Sequence, residues 1–322
     1  MVHTLRSTAP YPAQMSLHTE LVESILVDIR AARPPKSIAE AFDRLNRVSL
    51  GMQLKVPALT SGARLFRVRK MPEKPKNVKE IGAPPLGVAP VGRLNDQGQS
   101  VLYSADSPDT AFAEARAESG DFCLAEWRTN QQTIALANGG FDRQSLATFF
   151  PNELALGGTQ LGGSEDQFIV GFFASVFTLP VMEDPEMYWW SIACGLANGF
   201  SHVCERTESK LIDGNTRWTG RFPLAGIAYP STRKDKKAVN FAWNDRGQTY
   251  LELNHVQWVR REIDGSFTGT DIATSWGSDG DLDWAGRAPN FVLESGQTAR
   301  LTKTGTNIWS YENIDGSLPT FR

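Results

Sequence analysis

Along "MSLHTELVESILVDIRAA" the apolar positions Leu17, Leu21, Ile25 and Ile29 recur every fourth residue, the period of one helix face. "SIAEAFDRLNRVSLG" announces a second helix, with Ser37 and Glu40 at capping-box spacing and Ala41, Leu45 and Leu50 continuing the apolar side. Two antiparallel helices are therefore expected in a separate N-terminal extension, residues 1–58. The period then changes to two. "ARLFRVRK" alternates Leu65, Phe66 and Val68 with Arg64, Arg67 and Arg69 and reads as a strand. The five prolines of "MPEKPKNVKEIGAPPLGVAP" rule out a regular element, so a long loop follows.

Beyond it, "SVLYS" is short and β-prone, and Ser107, Pro108 and Asp109 supply an N-cap, a first-turn proline and a first-turn acid for a helix over 108–118. "DFCLAEWR" and "QQTIALAN" read as strands. "EDPEMYWWSIACGLANG" reads as a helix, begun by Asp184 and Pro185 and ended by Gly199. "LAGIAYPSTR" and "KAVNFAWND" are two apolar strands joined by a charged turn, and after 250 the pattern is β and turn, with Asp-Gly pairs at 264, 279 and 315. The fold class that emerges is α+β around a mixed sheet, with a main domain at 59–250 and a β-rich extension over 251–322 packed on it.

Composition narrows the function classes. A net charge of −3 over 322 residues gives no general attraction to nucleic acid or to an anionic membrane. No apolar run reaches the roughly 20 residues that span a bilayer, and "MVHTLRSTAPYPAQ" lacks the order of a secretory signal, so a cytoplasmic setting is expected. Cys123, Cys194 and Cys204 lack metal-type spacing and read as inert buried thiols. His202 and His255 have no ligand partner at suitable spacing, so no metal is expected. Trp189, Trp190, Trp243 and Trp258 read as core rather than as a base-stacking platform. "ALGGTQLGGSED" matches neither a dinucleotide fingerprint nor a P-loop, and reads as a flexible loop.

The chemically dense stretch is "GRLNDQGQSVLYSADSPDTAFAEARAE", residues 92–118. It sets Arg93 in a turn, Tyr103 near a strand end, and Glu114 on a helix rich in alanine. Read locally, Glu114 is a solvated charge on a helix face. "YPSTR" is no nucleophile elbow, which excludes a serine hydrolase.

Taken together, "LFRVRK", "EIGAPPLGVAPVGRLNDQGQSVLYSADSPDTAFAEAR" and "GIAYPSTRKDKKAVNFAW" resemble the RES domain family in order and motif: an Arg strand, G-R-x-N-x-x-G, a Tyr strand, T-A-x-x-E and Y-P-S. The resemblance covers about 60 to 245. It implies a fold similar to that of ADP-ribosylating toxins and an NAD-degrading activity, with NAD as substrate and no separate cofactor. Residue by residue it points to Arg67, Arg93, Tyr103, Glu114 and Ser231. Glu114, Arg93 and Ser231 would carry catalysis, and Arg67, Arg93, Tyr103 and Ser231 would hold NAD. Loss of nicotinamide leaves positive charge on the ribose, which a fixed carboxylate stabilises, and guanidinium groups match the two phosphates. The family also implies a toxin neutralised by a protein antitoxin. Three outcomes stay open: hydrolysis or phosphorolysis of NAD, transfer of ADP-ribose to a protein, or an inactive partner-binding module. Self-association is open too, and neither nucleic acid nor membrane is expected as a partner.

Overall fold

The computed structural model describes residues 53–90, 92–150, 154–157, 206–210, 216–220, 224–231, 238–263, 267–286, 290–292, 298–305 and 308–313, together with positions 174, 177 and 233. The two helices expected before residue 53, the helix expected at 184–199, and Cys194, Cys204, Trp189, Trp190 and His202 lie outside the described residues.

The chain enters through β1 (Gln53–Val56), β2 (Ala58–Leu59) and β3 (Arg64–Lys70), the last being the alternating "RLFRVRK" strand. After the proline-rich loop come β4 (Leu102–Ala105), helix α1 (Pro108–Glu114) and β5 (Gly120–Thr129). Then follow β6 (Ile134–Ala135), β7 (Ala137–Asn138), helix α2 (Arg143–Phe149) and β8 (Leu154–Gly157). Strands β9 (Arg206–Lys210) and β10 (Thr216–Gly220) pair with each other, and β11 (Gly226–Pro230) and β12 (Val239–Trp243) form the expected antiparallel pair. A short helix, α3 (Asp245–Gln248), leads to β13 (Leu251–Arg261), β14 (Phe267–Trp276) and β15 (Leu282–Trp284); β16 (Asn290–Val292), β17 (Thr298–Gly305) and β18 (Ile308–Asn313) make a separate sheet.

The architecture is mixed α+β, dominated by a nine-stranded sheet in the order β15-β14-β13-β5-β3-β4-β12-β11-β7. Neighbours are antiparallel except β11 and β7, which run parallel. Position 250 is no edge of this sheet, because β13 lies between β5 and β14 and pairs with β5 from Leu251 to Arg261. The Asp279–Gly280 pair marks the β14–β15 turn, where Gly280 takes φ of 91°.

Alternation along β3 and β5 separates two packed faces. Phe66, Phe122 and Leu124 point to one side, where Ala111, Phe112 and Ala117 of the α1 segment cover them. Cys123 and Ala125 point to the other and meet Ile81, Val256 and Trp258. Ile81 comes from the proline-rich loop, which is irregular except for one 3-10 turn at Val78–Glu80, held by the Asn77–Glu80 capping box. A third cluster joins Leu65 and Leu102 to Phe241 and Trp243, whose indole N–H donates to Ser104 Oγ at 2.9 Å. Cys123 is buried, and desolvation pushes its thiol up to about 12, which keeps it unreactive.

Candidate functional site

Helix α1 begins as its sequence demands: Ser107 caps it, accepting the Thr110 N–H at 3.2 Å, and Pro108 occupies the first turn. It stops at Glu114, four residues before the expected 118. Arg116 adopts φ of 49°, its N–H bonds to Ala113 O at 3.1 Å, and the Ala117 N–H reaches Phe112 O at 3.1 Å. This is a Schellman termination with arginine where glycine is usual, and Ala117 joins Phe112 in the core, as the motif requires. Glu114 is thereby the last helical residue, where its side chain can reach across the sheet.

It reaches β11 and β12. Ser231 Oγ donates to Glu114 Oε1 at 2.6 Å, and Asn240 Nδ2 donates to the same oxygen at 2.8 Å. Glu114 Oε2 takes no hydrogen bond from the described residues. Ser231 and Asn240 are both buried, whereas Glu114 is half-buried. Ser231 Oγ also accepts the Arg233 N–H at 3.2 Å, and the Ser231 N–H donates to Ala238 O at 2.8 Å, so the hydroxyl is held at the base of the β11–β12 hairpin. Asn240 stands in register between Ala105 on β4 and Tyr229 on β11, which places all three on one face. Asp106, just past β4, closes this end of the sheet. It exchanges backbone bonds with Val239 through its own N–H and through Oδ2, each at 3.0 Å, and burial raises its carboxyl above the usual range.

The glycine turn lies beside this cluster. The Tyr103 hydroxyl donates to Asn95 Oδ1 at 2.7 Å and accepts the Leu94 N–H at 2.9 Å. Asn95 Nδ2 in turn donates to Pro90 O at 2.8 Å and Asp96 O at 3.0 Å. A side chain at Gly92 would come within 2.2 Å of Asn95 Oδ1 and 2.9 Å of the Tyr103 hydroxyl, so only glycine fits. Tyr103 and Asn95 thus fix the turn that presents Arg93. The Arg93 guanidinium carbon sits 5.9 Å from the centre of the Tyr229 ring, and Nη1 makes a long 3.4 Å contact with Phe177 O. Burial raises the Tyr229 phenol far above its ordinary value, with the Arg93 charge pulling the other way and Glu114 reinforcing the rise.

Of the five residues expected from the sequence, Glu114 and Ser231 touch each other, and Arg93 stands with them through Tyr229. Tyr103 stands behind Arg93, its hydroxyl taken up by the turn. Arg67 alternates with Phe66 along β3 and therefore leaves the sheet on the side away from α1. Its Nη1 donates to the Tyr103 carbonyl at 2.9 Å, its Nε is enclosed with no acceptor among the described residues, and burial, followed by the charge of Arg69, lowers it to about 10. Sequence reasoning missed Asn240 and Tyr229. Both sit inside quoted motifs, "KAVNFAW" and "YPS", but as apolar-strand positions they carry no local mark of a site.

Among the described residues no group of three or more His, Cys, Asp and Glu is placed to hold a metal, and no helix is long and apolar enough to cross a membrane. A scan against protein-family models and a search of curated proteins both return no match. The resemblance to the RES family therefore rests on the sequence motifs alone.

Proposed function

We propose that the protein splits the nicotinamide–ribose bond of NAD, on a fold of the RES and ADP-ribosylating type. The observation that carries this is the state of Glu114: two donors converge on Oε1 and leave Oε2 to the substrate. In the reaction the C1′–N bond breaks, its electron pair goes to the nicotinamide nitrogen, and that ring leaves neutral. Positive charge appears on the ribose, where an oriented carboxylate oxygen lowers the barrier most. No general acid is needed, since the leaving group carries its own positive charge until the bond breaks. Water then adds at C1′ and gives up one proton to solvent, or phosphate adds through an anionic oxygen.

Arg93 is the group suited to the diphosphate, being always charged, planar and seated on the face of the Tyr229 ring. In this assignment Ser231 and Asn240 orient Glu114, Tyr103 supports the Arg93 turn, and Arg67 braces Tyr103 from the opposite face. The same reading makes the protein a toxin or defence effector of the cytoplasm, restrained by a partner protein.

Incubating the purified full chain with NAD and following free nicotinamide tests the reading. Glu114→Gln keeps the shape and removes the charge, and is expected to slow release by about 10² or more. An inert wild type overturns the proposal. Adenylate label found on macromolecules rather than in small products would redirect it to protein ADP-ribosylation.

A further inference from the structure

We propose that the Glu114 site is measured to a single nucleotide, so that nicotinamide mononucleotide is a substrate in its own right, a property that rests on the NAD reading of the same site. The geometry behind it belongs to β11. Tyr229 and Ser231 are two residues apart, and Ser231 extends the ladder beyond Pro230, its N–H donating to Ala238 O at 2.8 Å. Residues at that spacing share a face. Ser231 and the cross-strand partner of Tyr229, Asn240, both bond Glu114 Oε1, so the face is the one Glu114 reaches.

One strand therefore carries both anchors. Ser231 holds the carboxylate at 2.6 Å, and the Tyr229 ring seats the Arg93 guanidinium carbon 5.9 Å from its centre. Two residues of strand, at about 3.3 Å each, separate the anchors by about 7 Å, the scale of a ribose with its 5′-phosphate rather than of a dinucleotide. The charges of Arg93 and Glu114 both reach the Tyr229 phenol. Of the two arginines expected to clamp the diphosphate, Arg67 leaves the sheet on the other face. One guanidinium matches one phosphate, and the nearer phosphate is the one on the ribose that loses nicotinamide.

The Tyr229 anchor is held from both sides. Its backbone pairs with Asn240 on β12, and on the other flank the Gly139 N–H donates to Ala228 O at 2.7 Å. Gly139 packs so closely that a side-chain carbon there would come within 2.7 Å of Tyr229 Cβ. Tyr229 is also buried. It is thus a positioning residue, fixing where along the site the Arg93 charge stands.

With the mononucleotide the same bonds change. The C1′–N bond breaks, its electron pair leaves on the nicotinamide nitrogen, and water adds at C1′ and gives up one proton to solvent, so that ribose 5-phosphate is the second product. The adenylate half of NAD takes no part in these steps. Its absence costs only the binding that it contributed.

Nicotinamide release by the purified full chain from NAD, nicotinamide mononucleotide and nicotinamide riboside is the test. The expected kcat/KM for the mononucleotide is within about tenfold of that for NAD, and that for the riboside, which lacks the phosphate, is about 10- to 100-fold below the mononucleotide. Tyr229→Leu should raise KM about tenfold for both phosphorylated substrates with no matching loss on the riboside, and Tyr229→Phe, which keeps the ring, should restore it. Release from NAD but not from the mononucleotide overturns the inference and leaves the NAD reading standing; release from neither overturns both. A riboside cleaved as fast as the mononucleotide overturns the inference as well, as does an equal loss on all three substrates in Tyr229→Leu.

Discussion

At the scale of single residues, Asn240 decides what Glu114 can do. A hydrogen bond to a charged group contributes about 1.5–3 kcal/mol, and Asn240 supplies one of the two that Glu114 Oε1 receives. Under the proposed NAD cleavage this interaction serves orientation, so its loss belongs in kcat. Asn240→Ala is expected to lower kcat about 10- to 100-fold with KM changed little, measured as nicotinamide release. Because Ser231 addresses the same oxygen, the Ser231→Ala, Asn240→Ala pair should cost less than the product of the single effects. A rise in KM with kcat preserved would instead make Asn240 a substrate-binding group. Nothing in "KAVNFAW" announces this role, since the partner lies 126 residues away in sequence and the alternation identifies only a strand.

At the scale of elements, α1 shows which signals are local and which are not. Its start is written in Ser107 and Pro108, and the structure begins it there. Its end is not, because Arg116 in the left-handed region follows from Ala117 turning into the Phe112 cluster, a tertiary demand that carries no glycine to advertise it. Left-handed geometry costs an ordinary side chain about 1–2 kcal/mol, part of which glycine returns through its larger freedom when unfolded. Arg116 is exposed. Arg116→Gly is therefore expected to stabilise the protein by about 0.5–1 kcal/mol, read as a higher urea midpoint. A lower midpoint would mean that the arginine side chain contributes more than its backbone costs. Helix α2 is the converse case: Asp142 caps it, accepting the Ser145 N–H at 2.7 Å, yet without a proline or a capping box the stretch drew no helix assignment.

At the scale of the whole molecule, the strand pattern made the α+β class and the β11–β12 pair legible, while strand order, and with it the composition of each face, was not. β3 lies between β4 and β5, and β13 is inserted beside β5, so residues far apart in sequence share a buried layer that no periodicity reveals. On the α1 side of that layer sits a polar knot. Glu126, fully buried, accepts from Arg64 Nη2 at 2.8 Å, Arg128 Nε at 3.2 Å and Asn254 Nδ2 at 3.1 Å. His255, opposite it on β13, meets the amides of Asn254 at 3.0 Å and Gln257 at 2.9 Å. Burial lowers His255 from 6.5 to about 4; the Glu126 charge opposes the fall, and Arg64 and Arg128 add to it. The folded value lies below the unfolded one, so between them the unfolded chain binds more protons and stability falls as pH drops from 6.5 through 4. Full protonation would forfeit roughly 3 kcal/mol at about 1.4 kcal/mol per unit. Urea unfolding at pH 7, 5.5 and 4 should show that loss in the wild type and less of it in His255→Gln, whose side chain cannot take the proton. Parallel losses in the two proteins would assign the acid sensitivity to the carboxylates instead.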